Sequence, residues 1–229
     1  MGWLASAVCL ALLAAPPAAA QVTLLSDRGS IVGTTIDWGV LGAPFTAVPS
    51  SFVLVTTGGL VSVSNNDPEV PMERRDQLPC QFWDGNFASC DALLWTNSSP
   101  GTGPLTFLFA TPIVAFGTNI QADDPGPFVA FLSLFLGNSP LGTVTLGGFS
   151  DNTVGTAPFI GARSGILFDR AVLGLTSAVV DPGDFAINGP VFGTVVPEPG
   201  SLVLVGSGLV GLAVLGALRR RWRGRSRQT

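Results

Sequence analysis

Hydrophobic and polar positions divide the 229-residue chain into three unlike parts. Uncharged apolar runs lie near each end, over residues 4–15 and 201–218. Between them the apolar residues come in short pieces punctuated by Gly, Pro, Asn and Asp, and no stretch sustains the i, i+3, i+4, i+7 spacing of an amphipathic helix. The pieces are rich in Val, Phe, Leu, Ile and Thr, which fit a pleated, half-buried surface. They predict strands over 22–25, 30–36, 51–57, 60–63, 92–96, 105–109, 113–121, 128–136, 142–146, 159–163, 172–180 and 185–187. Turn residues separate them at Thr57-Gly58-Gly59, Gly137-Asn138-Ser139-Pro140, Gly147-Gly148 and Asp181-Pro182-Gly183-Asp184. Asp124-Pro125-Gly126, set between two apolar runs, predicts a hairpin. The 128–136 piece is apolar at nearly every position and predicts a central strand covered on both faces. The charged stretch 65–79 predicts an exposed loop. Many short strands at this spacing indicate an all-β fold, an antiparallel β-sandwich, over residues 21–195.

The two terminal runs predict different things. Residues 1–20 read as a secretory signal peptide. They have a short apolar segment, then Ala18-Ala19-Ala20 before Gln21, and Cys9 would leave with them. Residues 201–218 make eighteen uncharged positions, which as a helix cover about 27 Å, close to the hydrocarbon thickness of a bilayer. Six arginines follow within 219–227, among them Arg219, Arg220, Arg221 and Arg223. Such a cluster stays on the cytoplasmic side, so the expected topology is ectodomain outside and tail 219–229 inside. Gly206-Ser207-Gly208-Leu209-Val210-Gly211 spells a dinucleotide fingerprint, but in mid-span, with no preceding strand and with arginines following, it is not one.

Removing that tail changes the charge. Residues 21–195 hold fourteen acids against Arg28, Arg74, Arg75, Arg163 and Arg170, a net charge of −9. A surface of that sign argues against nucleic acid as a partner. The chain has no histidine, which removes Ser-His-Asp and Cys-His catalysis and imidazole metal sites. Carboxylate-pair hydrolysis stays open, with Asp84, Asp91 and Asp169 as candidate acids. No cofactor is expected from the residues themselves.

Two cysteines remain after export, Cys80 and Cys90, and an oxidising compartment predicts that they pair. The short loop between them carries Phe82, Trp83 and Phe87. One reading is a staple around an aromatic cluster. The other is a sugar-stacking platform of Trp83 and Trp95, with Asp84, Asn86 and Asp91 bonding hydroxyls. Asn97-Ser98-Ser99 spells a glycosylation sequon and also reads as a turn before Pro100.

The order Val196-Pro197-Glu198-Pro199-Gly200, apolar helix 201–218, arginine-rich end resembles the PEP-CTERM sorting signal of Gram-negative bacteria, over residues 196–229. The resemblance implies an exosortase as partner, cleavage near the motif, and transfer to a surface or exopolysaccharide component of a biofilm. It also implies a transient membrane attachment through 201–218. Two prolines hold Glu198 in extended, unpaired backbone that a protease can engage. More loosely, residues 114–121, 157–161 and 184–188 are similar to the jelly-roll ectodomains found ahead of such signals. That likeness implies a structural calcium at Asp181 and Asp184, with Asp37 as a further ligand; a plain polar turn explains the same residues. Three functional readings follow: a surface-sorted, non-enzymatic matrix-binding module, a permanently anchored envelope protein, and a carboxylate-dependent glycan hydrolase.

Overall fold

The computed structural model describes residues 21–97 and 101–195. The signal peptide, Ser98 and Ser99 of the sequon, the Pro-Glu-Pro motif, the 201–218 helix and the arginine tail lie outside the described residues. Among those described, the fold is all-β, with fourteen strands and two single 3-10 turns. In chain order the strands are β1 (Val22–Leu25), β2 (Ile31–Thr35), β3 (Ala47–Val48), β4 (Ser51–Thr56), β5 (Gly59–Ser64), β6 (Met72–Gln77) and β7 (Phe82–Trp83), then β8 (Ala92–Trp95), β9 (Leu105–Ala122), β10 (Gly126–Leu136), β11 (Ser139–Ser150), β12 (Phe159–Ser177), β13 (Phe185–Asn188) and β14 (Val191–Val195). Pairing is antiparallel throughout, apart from a two-residue parallel bridge between β6 and β7.

Two long strands organise the sheet. The sequence predicts four pieces at 105–109, 113–121, 159–163 and 172–180. The structure joins them in pairs as β9 and β12, which run against each other from Leu105↔Leu173 to Asn119↔Phe159. Their register shifts twice near the middle, where residues 164–167 of β12 and 109–112 of β9 are extra. Such bulges bend a strand without ending it. Beyond the bend, β9 pairs with β13 and β14; before it, with β5. Glycine permits the closest approach here. Gly117 and Gly161 are cross-strand partners, and a Cβ on Gly117 would lie 2.5 Å from the Phe159 ring and 2.7 Å from Gly161 Cα.

The core lies on the enclosed face of this bent sheet. Phe107, Phe109, Phe116, Phe168 and Phe192 meet there, with Trp38, Leu94, Leu132 and Ile160 around them. Burial on this scale, at roughly 25 cal/mol per Å² of apolar surface, is the main term favouring the fold.

Three expectations need correction, and one strand was not expected. The 65–79 stretch is not all loop, because β6 crosses it. Its charges survive in a sheet by pairing with one another: Arg74 with Asp76 at 2.6 Å, Arg75 with Glu73, and Arg74 Nε with the Trp38 carbonyl at 3.2 Å. Asp124-Pro125-Gly126 does not close a hairpin. β10 pairs with β11 and β12 rather than with β9, so the turn carries the chain past β12. The two-residue hairpins are at Gly137-Asn138, where Gly137 has φ +58°, and at Thr57-Gly58. The 128–136 strand is not central. β10 lies one place from the sheet edge, and its burial alternates, with Phe128, Ala130, Leu132 and Leu134 inward. β14, unforeseen in the sequence, closes the domain between β2 and β9.

Candidate functional site

The three segments that carry the jelly-roll likeness converge in space. β9 brings Asn119, the segment leading into β12 brings Ala157, and β13 ends on Asn188. Together with Arg28, Asp37 and Asp91 they line a cleft of about 490 Å³, floored by Ile36, Trp38 and Phe87.

Asn188 is the hub of its polar wall. Its Oδ1 accepts from Asn119 N at 3.0 Å, Thr118 Oγ1 at 3.1 Å and Arg28 Nη1 at 3.4 Å. Its Nδ2 donates to Asp91 Oδ2 at 3.1 Å and Asn119 Oδ1 at 3.2 Å. Arg28 is fixed further by donating to the Gly189 carbonyl at 2.5 Å. Partial burial pulls the Arg28 pKa below its ordinary value, opposed by the Asp91 carboxylate. Gly189 is required where it stands, since a Cβ there would lie 2.1 Å from the Ile36 carbonyl oxygen. The wall therefore offers amides, two carboxylates and one guanidinium above an apolar floor, the donor and acceptor mix that suits hydroxyl-rich ligands.

The Cys80–Cys90 disulfide forms, and the loop that it closes borders this cleft. Asn86 ties the loop down. Its side chain donates to Asp151 Oδ1 (2.7 Å) and Thr156 Oγ1 (2.5 Å) and accepts from the Asp151 and Asn152 amides, while its own amide donates to Gln121 Oε1 at 2.7 Å. Asn86 is thus fully engaged within the protein. The Thr153 amide first, and the Asn86 side chain next, donate to the Asp151 carboxyl and hold it below its ordinary range.

Of the two readings of this loop, the structure forms the staple around an aromatic cluster and not the flat platform of Trp83 and Trp95. Trp83 is buried and Trp95 half-buried, their rings edge to face with centroids 5.8 Å apart, in a small second core with Phe87, Leu93 and Ala186. What reaches solvent is a different pair. Arg75 is stacked between the Trp95 ring (4.7 Å) and the Phe45 ring (4.3 Å), and Phe45 leans on Phe82 at 5.6 Å. Phe82 is 73% exposed, and both phenylalanines hold positive φ, +67° at Phe45 and +38° at Phe82. That conformation is rare for a bulky side chain. The disulfide loop on one side, and the Phe45 amide donating to the Arg74 carbonyl at 2.7 Å on the other, maintain it. The sequence shows only half of this shelf: Phe82 stands in the disulfide loop, but Phe45 lies 37 positions before it with no motif around it.

The acids divide by environment. Asp181 accepts the Gly101 and Gly183 amides, each at 2.7 Å, with its two oxygens, the arrangement of a polar turn. Asp184 is 5% exposed and accepts the Trp95 indole at 2.6 Å. Burial first, and Asp123 next, push its carboxyl up from 3.8 to about 6. Asp123 is raised too, by burial and then by Asp124. Asp37 lines the cleft and accepts the Gly39 amide at 2.8 Å, so it is not a third member of an Asp181–Asp184 group. No group of three metal-ligating side chains gathers among the described residues. Of the candidate hydrolytic acids, Asp91 lines the cleft, whereas Asp169 accepts the Gly137 amide at the β10–β11 hairpin and Asp84 is an exposed loop residue.

Compared with known protein families, curated proteins and solved structures, the chain gives no match.

Proposed function

We propose that this is an exported, surface-sorted, non-enzymatic protein of a Gram-negative bacterium. Its jelly-roll-like sandwich binds the polysaccharide of the cell's own matrix, and an exosortase processes it at Val196-Pro197-Glu198-Pro199-Gly200. The observation that carries the proposal is the terminal order of motif, apolar run and arginines, which suits a substrate held briefly in the membrane and then cut. The cleft supports the binding half. Arg28, Asn119, Asn188, Asp37 and Asp91 offer both donors and acceptors, and the Phe45–Phe82 shelf lies at the other end of the same disulfide loop. Aromatic faces beside amides and carboxylates are how a protein holds a ring that is apolar on its faces and hydroxylated at its rim.

Two measurements test this. Mass spectrometry of the mature protein from the producing cells should find a C-terminus near residue 200; an intact Thr229 would instead mean a permanent anchor. The ectodomain should be retained on the producing organism's purified exopolysaccharide, and failure to bind at any ionic strength or calcium level removes the matrix role.

A further inference from the structure

We infer that β4 is a self-association edge, through which two copies of this chain pair strand to strand about a twofold axis. This does not rest on the sorting or polysaccharide reading.

Among the described residues β4 pairs with β5 and with no other strand. The loop joining them is two residues long, with Thr56 opposite Gly59. In such a hairpin Thr56, Leu54 and Phe52 exchange bonds with β5, and the N–H and C=O groups of Val53 and Val55 point away from it. The same two residues carry exposed side chains, Val53 at 59% and Val55 at 85%. Their face is uncharged across the neighbouring strands and largely apolar near the hairpin end. Leu60 stands opposite Val55, Ser62 opposite Val53, and Leu108 of β9 opposite Ser62, with both leucines about half exposed. A groove of about 250 Å³ runs beside the strand, lined by Thr34, Ile36, Val40, Leu54 and Val55, with Asp37 its one charged lining residue.

Proteins ordinarily blunt free edges with charge, proline, bulges or brevity. Among the described residues β1, β2 and β7 also have a single partner each, and two further edges are blunted. β3 is two residues long and is followed by Pro49, and β11 carries Pro140 beside a register shift. From Ser51 to Thr56 β4 has none of these devices. Charge selects the occupant. No charged residue occurs from Trp38 to Asn66, in a domain whose net charge is −9. Two such domains repel over most of their surface and meet with least like-charge cost at this edge, where Asp37 is the one charged residue of the groove. An antiparallel pairing of β4 with itself is isologous, setting the same valines against each other on both sides.

The test is light scattering on the full chain, purified in a nonionic detergent, over a dilution series. The protein mass should be twice the 23.5 kDa of one chain and fall towards it on dilution. Val55→Lys should weaken the dimer at least about tenfold, a lysine being an established edge-blocking residue. Val179→Lys, at a 57% exposed position outside β4, should leave it intact. Circular dichroism and the unfolding midpoint check that each variant folds, and Val53→Lys substitutes if Val55→Lys does not. A wild-type chain that is monomeric at every concentration overturns the inference. So does a dimer that survives a folded β4 lysine variant, which would place the contact elsewhere in the chain.

Discussion

Replacing Asp184 by asparagine should stabilise the domain at neutral pH and leave it almost unchanged in acid. The carboxyl is 5% exposed, faces Asp123, and is pushed from 3.8 to about 6 in the folded protein. Folding therefore favours its protonated form. A raised carboxylate binds its proton more tightly folded than unfolded, so stability is highest below about pH 4, falls as pH rises towards 6, and levels off above. Each tenfold change in proton affinity is about 1.4 kcal/mol, so the ionised form costs at most about 3 kcal/mol at pH 8. The amide removes the charge and keeps an oxygen for the Trp95 indole, whose bond to Asp184 Oδ1 is 2.6 Å. Guanidinium unfolding of residues 21–195, disulfide intact, should show a gain of about 1–3 kcal/mol at pH 8 and roughly none at pH 3.5. In thermal unfolding the pH 8 gain corresponds to roughly 2–4 °C per kcal/mol for a domain of this size. Equal effects at the two pH values, or a loss at pH 8, would show that ionisation of Asp184 is not what limits stability there.

Three further outcomes follow from the site. Serine at both Cys80 and Cys90 should cost about 2–3 kcal/mol, the chain-entropy value for so short a loop, read as a shift in denaturant midpoint against the oxidised wild type. Asn188→Ala leaves Asp91, Asn119 and Arg28 without their shared partner and should cost about 1–3 kcal/mol, as expected where several half-buried polar groups lose a bond together; a loss below about 0.5 kcal/mol would remove Asn188 as the hub. Phe82→Ala, at a 73% exposed position, should leave stability within about 0.5 kcal/mol. It should weaken retention on the exopolysaccharide by about 0.5–1.5 kcal/mol, the scale of one stacking contact.

The strand content was legible because Val, Phe, Ile and Thr pieces between Gly and Pro turns leave the chain few other choices. Connectivity was less so. Residues 105–109 and 113–121 read as two strands because Ala110, Thr111 and Pro112 interrupt the apolar pattern, yet a bulged strand passes through them and bends. The charges of β6 concealed a strand, since nothing in Met-Glu-Arg-Arg-Asp-Gln reveals that Glu73 and Arg75 share one face and Arg74 and Asp76 the other. The disulfide was legible from the cysteine count and the export that the sequence leads one to expect. The cleft was legible only in part. Asn119, Ala157 and Asn188 lay in stretches already marked by resemblance, but Arg28, more than 150 positions from its partner Asn188, carried no local signal. The tryptophans left two readings open, and burial decided between them, since a large apolar ring in a small domain gains more by packing than by standing in solvent. Asn86, expected to bond a ligand, is instead taken up by Asp151, Thr156 and two backbone amides.

One consequence of β14 is mechanical. The strand ends at Val195, one residue before the Pro-Glu-Pro motif begins at Val196-Pro197, and it is bonded on one side to β2 and on the other to β9. Whatever the chain is tied to beyond Val195, tension arrives along the axis of a strand clamped between two antiparallel neighbours. Force in that direction must shear several hydrogen bonds at once rather than peel them singly. Any tether beyond Val195 would therefore meet the domain at a grip rather than at an edge that peels.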